Sequence, residues 1–437
     1  MRSPAELFRE LVGPAAVMAA GTMGAGAIAS FLLAGAWFRY DLLWVILLML
    51  PVFVVSADSA SRIGALNPGA GMFSLIRTRI SPLLAWLILL IVVPVHFLVT
   101  MGQLSVMASA FTSLFGVSSD AGFGGAGSLS WQVALSVFLG AATLWVVFSR
   151  GYDRVERIMT GLMVLMLGCF LIVALRGLVE WRAIAAGFLP SLPADLPVPG
   201  SGEVRVASSS IIAMVGAAIA PAALLGLPYL SADAGRGRDD LDRAFRRAVI
   251  NLGFIFGAYA ALVLIAGGFA LYPLAEHAAL ADVRDASVVL RDALPGVFAA
   301  VGPVVFTVGL FMAAMTTLVV AAQVTVYFIL DMLNADWRFR EGNRRYRRVL
   351  TLFVIAAAAL APLWDFPALL KVILLMGINV VVIPVVYVIV IILSNNGAVM
   401  QEFAARPWRN AILVFGLALS LLLAIDKAPG YYRILFG

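Results

Sequence analysis

Most of the residues in this 437-residue chain that are equipped for chemistry lie inside long apolar runs. His96 sits in VVPVHFLVT, where an imidazole titrating near neutral pH is a candidate proton relay and, equally, a bonded structural histidine. Lys371, in ALLKVILL, is one of two lysines in the chain, and a cation at that depth is costly enough to imply a role. It can attract an anionic solute, carry a proton or stand in for a coupling cation. Against these stands a side chain that snorkels to the interface marked by Trp364 and Asp365. Thr316 and Thr317 either line a cavity or bond their own helix backbone. Asp58 is placed to pair with Arg62 one turn on, while Gln103 and Asn379 either satisfy freed backbone or touch a solute.

Catalysis and resident metals find no support. Cys169 is the only cysteine, and His96 and His277 are too few and too far apart for a zinc site. No HExxH, GxSxG or cluster of acids occurs, so neither an enzyme nor a cofactor is expected.

The elements that must position these groups follow from composition. Hydrophobic residues make up 63% and charged residues 12%, an apolar surface that a water-soluble domain cannot hide. The net charge of +6 comes in clusters between apolar runs, without the basic stripe of a nucleic-acid binder. Runs of roughly 20 apolar residues span a bilayer. They predict eleven spans, at 12–36, 42–61, 83–114, 131–149, 158–178, 208–231, 248–273, 296–330, 348–364, 367–393 and 408–425. The N-terminal apolar run leads straight into the first span and reads as retained. With the N-terminus cytoplasmic, 21 of the 30 Lys and Arg fall inside and eight outside, with Lys371 within a span. An odd number of spans then puts the C-terminus outside.

The proline-bearing stretch 181–207 reads as an extracytoplasmic crossover, 276–294 as a surface helix, and GFGGAG at 122–127 as a flexible loop. The crossover divides one transmembrane domain into 12–180 and 208–394, with an extra helix at 408–425. Five spans per half is odd, so the halves run in opposite senses, as an inverted repeat requires. Each half opens on a breakable span. Met23, Gly24, Ala25, Gly26 and Ala27 supply weak helix formers in the first, and Ala220, Pro221, Ala222 and Pro228 interrupt the sixth. Freed backbone at membrane depth is tolerated where protein or a wet cavity satisfies it, so these residues are expected to bind substrate, with Thr316, Thr317 and Lys371 beside them.

The stretch GPAAVMAAGTMGAGAIASFLLAGAWFRYDLLWVILL (13–48), Gly64, GAAIAPAALL (216–225) and GINVVVIP (377–384) resemble the NRAMP family of proton-coupled divalent-metal transporters. The resemblance implies an all-α membrane protein with a LeuT-like fold: two inverted five-helix repeats with helices 1 and 6 broken. The family's metal ligands are not matched. Its DPGN falls on Gly24, Ala25, Gly26 and Ala27, and its MPH on Ala220, Pro221 and Ala222. The third span, MGQLSVMAS at 101–109, has no carboxylate, and a Gln of the tenth span falls on Lys371.

A divalent ion leaving water needs replacement donors and compensating charge, which Gly and Ala lack. The expectation is therefore a roomier, less charged cavity and a secondary transporter of the bacterial inner membrane that moves a small organic acid by alternating access. The helix-terminal amides there favour an anion. The resemblance points to 5-oxoproline-like solutes as one example. Proton-coupled divalent-metal transport is the alternative, and a non-transporting sensor the second.

Overall fold

The computed structural model describes residues 24–115, 129–149, 152–197, 204–233, 237, 238, 241–272, 283, 287, 294, 296–340, 342–364 and 366–436. Met23 and the part of the first expected span before it lie outside these residues, as do the GFGGAG stretch and all of 276–294 except Val283, Ser287 and Leu294.

Hydrocarbon offers no hydrogen-bond partner to a peptide group, so apolar runs of this length close their bonds as helix. In chain order these are α1 (Ala25–Phe38), α2 (Leu43–Leu66), α3 (Met72–Arg79), α4 (Pro82–Phe115), α5 (Leu129–Phe148), α6 (Tyr152–Gly177) and α7 (Trp181–Ala186). A two-residue hairpin, β1 (Leu196–Pro197) with β2 (Val204–Arg205), precedes α8 (Ala207–Ala218) and α9 (Pro221–Asp233). There follow α10 (Leu241–Ala248), α11 (Phe256–Ala270), α12 (Val297–Met332), α13 (Arg344–Leu360), α14 (Ala368–Asn395), α15 (Gly397–Met400) and α16 (Pro407–Phe436). Among the described residues ten helical stretches are long and apolar enough to cross a membrane. With the shorter α1 they match the eleven expected spans. The seventh starts earlier than its hydropathy indicates. The basic turn of α10 buries Leu241, Ala244 and Ala248, and a π-helical segment at Val249–Ile255 joins it to α11.

The pairing of the helices displays the inverted repeat. If each span of the first half corresponds to the one five places later, every contact needs a counterpart with the halves exchanged. α1 lies along α11, and α9 along α2. α4 lies along α14, and α12 along α6. The self-related pair, α4 with α12, is the most extensive. The close approaches repeat in the same way. A Cβ on Gly267 would stand 2.2 Å from the Leu32 carbonyl, and one on Gly64 2.0 Å from that of Pro228. Only glycine admits backbones this near.

Polar side chains tie the frame at both ends. Glu180 accepts from Arg39 Nη2 at 2.7 Å and from Tyr40 Oη at 2.6 Å, and Trp44 Nε1 donates to the Ser191 carbonyl at 2.9 Å. These bonds hold the α1–α2 turn to the crossover. At the opposite end of α2, Asp58 Oδ2 accepts from Arg62 Nε at 2.7 Å, as expected for a pair one turn apart, and also from Arg409 Nη1 of α16. The Arg409 guanidinium lies 4.8 Å from both the Phe245 and Trp408 rings, and Arg62 Nη2 reaches the Leu241 carbonyl at 3.3 Å. Asp58 thus joins α2, α10 and α16.

Candidate functional site

The two weak points in the sequence are placed symmetrically. Gly24 is extended (φ −72°, ψ −179°), and α1 begins at the next residue without a side-chain cap on its first amides. In the sixth span α8 stops at Ala218, Ile219 turns out of the helix (φ −106°, ψ 55°), and Pro221 opens α9. Proline suits that first position, because its missing N–H would have no intrahelical partner there. The Ala223 and Leu224 amides donate to Ala220 O at 2.9 and 3.3 Å. Gly24 stands eight residues before Leu32, and Ala220 eight before Pro228, the two residues already matched by the glycine contacts. Pro228, expected to interrupt the span, lies inside α9 instead.

A cavity of about 50 Å³ lies between the breaks. Of the residues expected at a substrate site, Gly24, Gly26, Ala27, Ala220, Ala222 and Thr317 line it, and so does His96. The expected spaciousness is corrected by the neighbouring helices. A Cβ on Gly24 would fall 1.4 Å from Thr317 Oγ1 and 2.8 Å from its Cβ, and one on Gly26 2.6 Å from Met376 Cγ and Sδ. The volume released by small residues at 24 and 26 is filled from α12 and α14. What remains holds a few water molecules.

Three residues that border this space carry donor atoms. His96 is buried on α4, and its Nδ1 lies 2.8 Å from Thr325 Oγ1 of α12, which in turn donates to Ala321 O at 2.7 Å. Its Nε2 is buried and without a hydrogen-bond partner. Asn379 of α14 donates through Nδ2 to the Gly216 carbonyl at 3.3 Å. A carbonyl only accepts, which assigns the amide orientation and leaves the buried Oδ1 without a partner. Met376, one turn earlier, brings a thioether. Sequence reasoning missed Met376 and left Asn379 undecided. Its signal lay in their three-residue spacing, which puts both on one face of a helix.

Other expected residues stand apart. Thr316 Oγ1 donates to its own backbone at Ala313 O, 2.9 Å, and neither it, Ala25 nor Pro221 borders the cavity. Lys371 is also absent from the lining. Its buried ammonium donates to the Trp364 carbonyl, to Ala361 O at 3.3 Å and to Ser105 Oγ at 3.2 Å, with the Trp364 ring 5.8 Å away. Five residues of α-helix turn through about 140°, so Lys371 and Met376 face different sides of α14. The lysine caps the turn before α14. Lys371→Gln is therefore expected to cost about 1–3 kcal/mol through unpaired carbonyls. It should lower the unfolding temperature in detergent while leaving the KM for uptake unchanged. A changed KM at unchanged stability would contradict this role.

Among the described residues no group of three or more His, Cys, Asp and Glu side chains is gathered in a metal-holding arrangement, and no carboxylate lines the cavity.

Residues 15–427 match the family model described as "Natural resistance-associated macrophage protein-like" (Nramp). Two curated relatives are each named "Divalent metal cation transporter MntH". One, from Acidiphilium cryptum (strain JF-5), is 25% identical over 94% of this chain and 90% of its own length. The other, from Brucella suis biovar 1 (strain 1330), is 23% identical over 96% and 88%. Crystal structures of the Eremococcus coleocola manganese transporter share the fold. One mutant form has a TM-score of 0.71 at 19% identity, covering all of this chain and 90% of that one. The complex with an aromatic bis-isothiourea substituted compound gives 0.69 at 18% identity, covering 98% and 88%.

Proposed function

The chain belongs to the Nramp family, and from that membership we propose that this multi-pass membrane transporter carries a metal cation by alternating access through the cavity between its broken helices. The observation that carries this reading is the cavity itself. About 50 Å³ suits a bare or partly hydrated ion rather than a ring-bearing organic acid, and two of the residues that line it, His96 and Asn379, each keep a buried acceptor without a partner, Nε2 and Oδ1. The curated relatives, named as divalent metal cation transporters, support the same cargo class. The organic acid favoured by the sequence gives way to the metal that was its alternative.

His96 Nε2 also bears on coupling. One lone pair takes either a proton or a metal ion, so the two exclude each other there. This makes His96 the proton-linked residue of our reading. The distribution of Lys and Arg supports an N-terminus on the cytoplasmic side and a C-terminus outside, and the bacterial relatives support an inner membrane as the location.

A small carboxylate remains the second reading for one reason: among the described residues a divalent ion in this cavity meets no negative side chain. Uptake into proteoliposomes separates the two. Manganese and cobalt ions are expected to enter protein-containing vesicles and not empty ones, with no counterflow of labelled 5-oxoproline. Counterflow of the carboxylate with no metal entry would overturn the proposal. No transport of either would leave a sensor.

A further inference from the structure

We propose that the cargo ion is held by a neutral donor set on α4 and α14 (His96 Nε2, Met376 Sδ and Asn379 Oδ1) and that this set takes late transition ions in preference to manganese or magnesium. The inference rests on the cation reading above and names the ligands and the class of ion. Among the described residues of the first-span break none supplies a side-chain donor, since residues 24–27 are Gly, Ala, Gly and Ala.

The bonds around His96 fix which of its nitrogens is free. A threonine hydroxyl has one proton, and Thr325 donates it to Ala321 O at 2.7 Å. At 2.8 Å from His96 Nδ1, Thr325 Oγ1 is therefore left to accept, and Nδ1 carries the imidazole proton. In the neutral ring Nε2 then keeps its lone pair, buried, without a partner, on a residue that borders the cavity. A ring nitrogen with its other N–H anchored to a second group is how metal-bound histidines are held in the right tautomer. Phe328, with its ring 5.7 Å from that of His96, limits the imidazole's freedom on one side.

The second and third donors come from one face of α14. Met376 lies over Gly26, and any Cβ at that position would meet its sulfur. The glycine thus admits the thioether to the break. Asn379 spends its amide N–H on Gly216 and keeps Oδ1. An acceptor buried without a partner is costly, and a cation bound by both Nε2 and Oδ1 would relieve that cost at each. Thioether and imidazole are soft to borderline ligands that suit copper, zinc, cobalt and nickel, whereas manganese and magnesium are served by the carboxylates that this cavity lacks.

Cadmium and manganese, a soft and a hard probe of equal charge, test the assignment on the full-length purified protein. Titration calorimetry is expected to show cadmium bound at least tenfold more tightly than manganese. His96→Gln and Met376→Leu should each weaken cadmium tenfold or more and bring the ratio toward one. Thr325 is a positioning residue, so Thr325→Val should weaken cadmium less, and Thr325→Ser should restore it. X-ray absorption on cadmium-loaded wild type requires no variant, and one sulfur with nitrogen and oxygen neighbours is expected. Metal binding with an unchanged ratio in both ligand variants, or an all-oxygen shell, overturns the donor set and leaves the cation reading standing. Binding of neither metal overturns both.

Discussion

Asp58→Ala is expected to destabilise the protein by about 3–5 kcal/mol, the cost of removing one partner from a buried ion pair. The side chain is fully buried, and the two guanidiniums that converge on its Oδ2 are 12% (Arg62) and 9% (Arg409) exposed. Without the carboxylate, two like charges face each other in a poorly solvated space. Arg62 keeps the Leu241 carbonyl and Arg409 keeps its two rings, so neither arginine is released to solvent. The three elements joined there, α2, α10 and α16, should loosen together. Thermal unfolding in detergent reads the loss as a drop of several degrees. A combined Asp58→Leu, Arg62→Leu and Arg409→Met variant separates charge from packing and is expected to recover most of it, because apolar replacement of a whole buried triad is often neutral or better. If Asp58→Ala unfolds at the wild-type temperature, the cluster carries no stability.

The sequence discloses half of that cluster. Arg62 follows Asp58 by one helical turn, and local spacing reveals it. Arg409 is 351 residues away and is found only through the fold. The same division runs through the whole molecule. The spans are legible because the bilayer imposes one length and one polarity on each. The breaks are legible because proline and glycine fail in helices for local reasons. Even there, Pro228 looks like Pro221 in sequence and differs only in what surrounds it. The rotation of a helix about its own axis is not legible when the helix is apolar all round. That is why Lys371 looked central and Met376 did not, though α14 carries both. Volume is harder still: small residues at 24 and 26 imply space, but interiors are close-packed, and side chains from α12 and α14 take it up.

This filled space makes the family's own ligands unwelcome. Gly24→Asp with Ala27→Asn, which writes the aspartate and asparagine of the family motif back into the chain, is expected to yield no gain in manganese affinity and little folded protein. The aspartate's Cβ alone would stand 1.4 Å from Thr317 Oγ1. Rotating the threonine moves its hydroxyl, but its own Cβ remains at 2.8 Å, so α1 or α12 must shift. Overpacking of this kind costs about 1–3 kcal/mol, and a buried carboxylate without a partner costs more. The clash has one principal source, which makes the test sharp. Adding Thr317→Gly removes both offending atoms and is expected to return a monodisperse protein by size-exclusion chromatography, now binding manganese more tightly than the wild type by calorimetry. Gly24→Ala should fail for the same steric reason and be rescued by the same second change, without gaining manganese. Good yield of the Gly24→Asp, Ala27→Asn variant with Thr317 intact would mean that α1 can withdraw from α12 at little cost. The glycine at the break would then be a choice of ligand chemistry rather than a demand of packing.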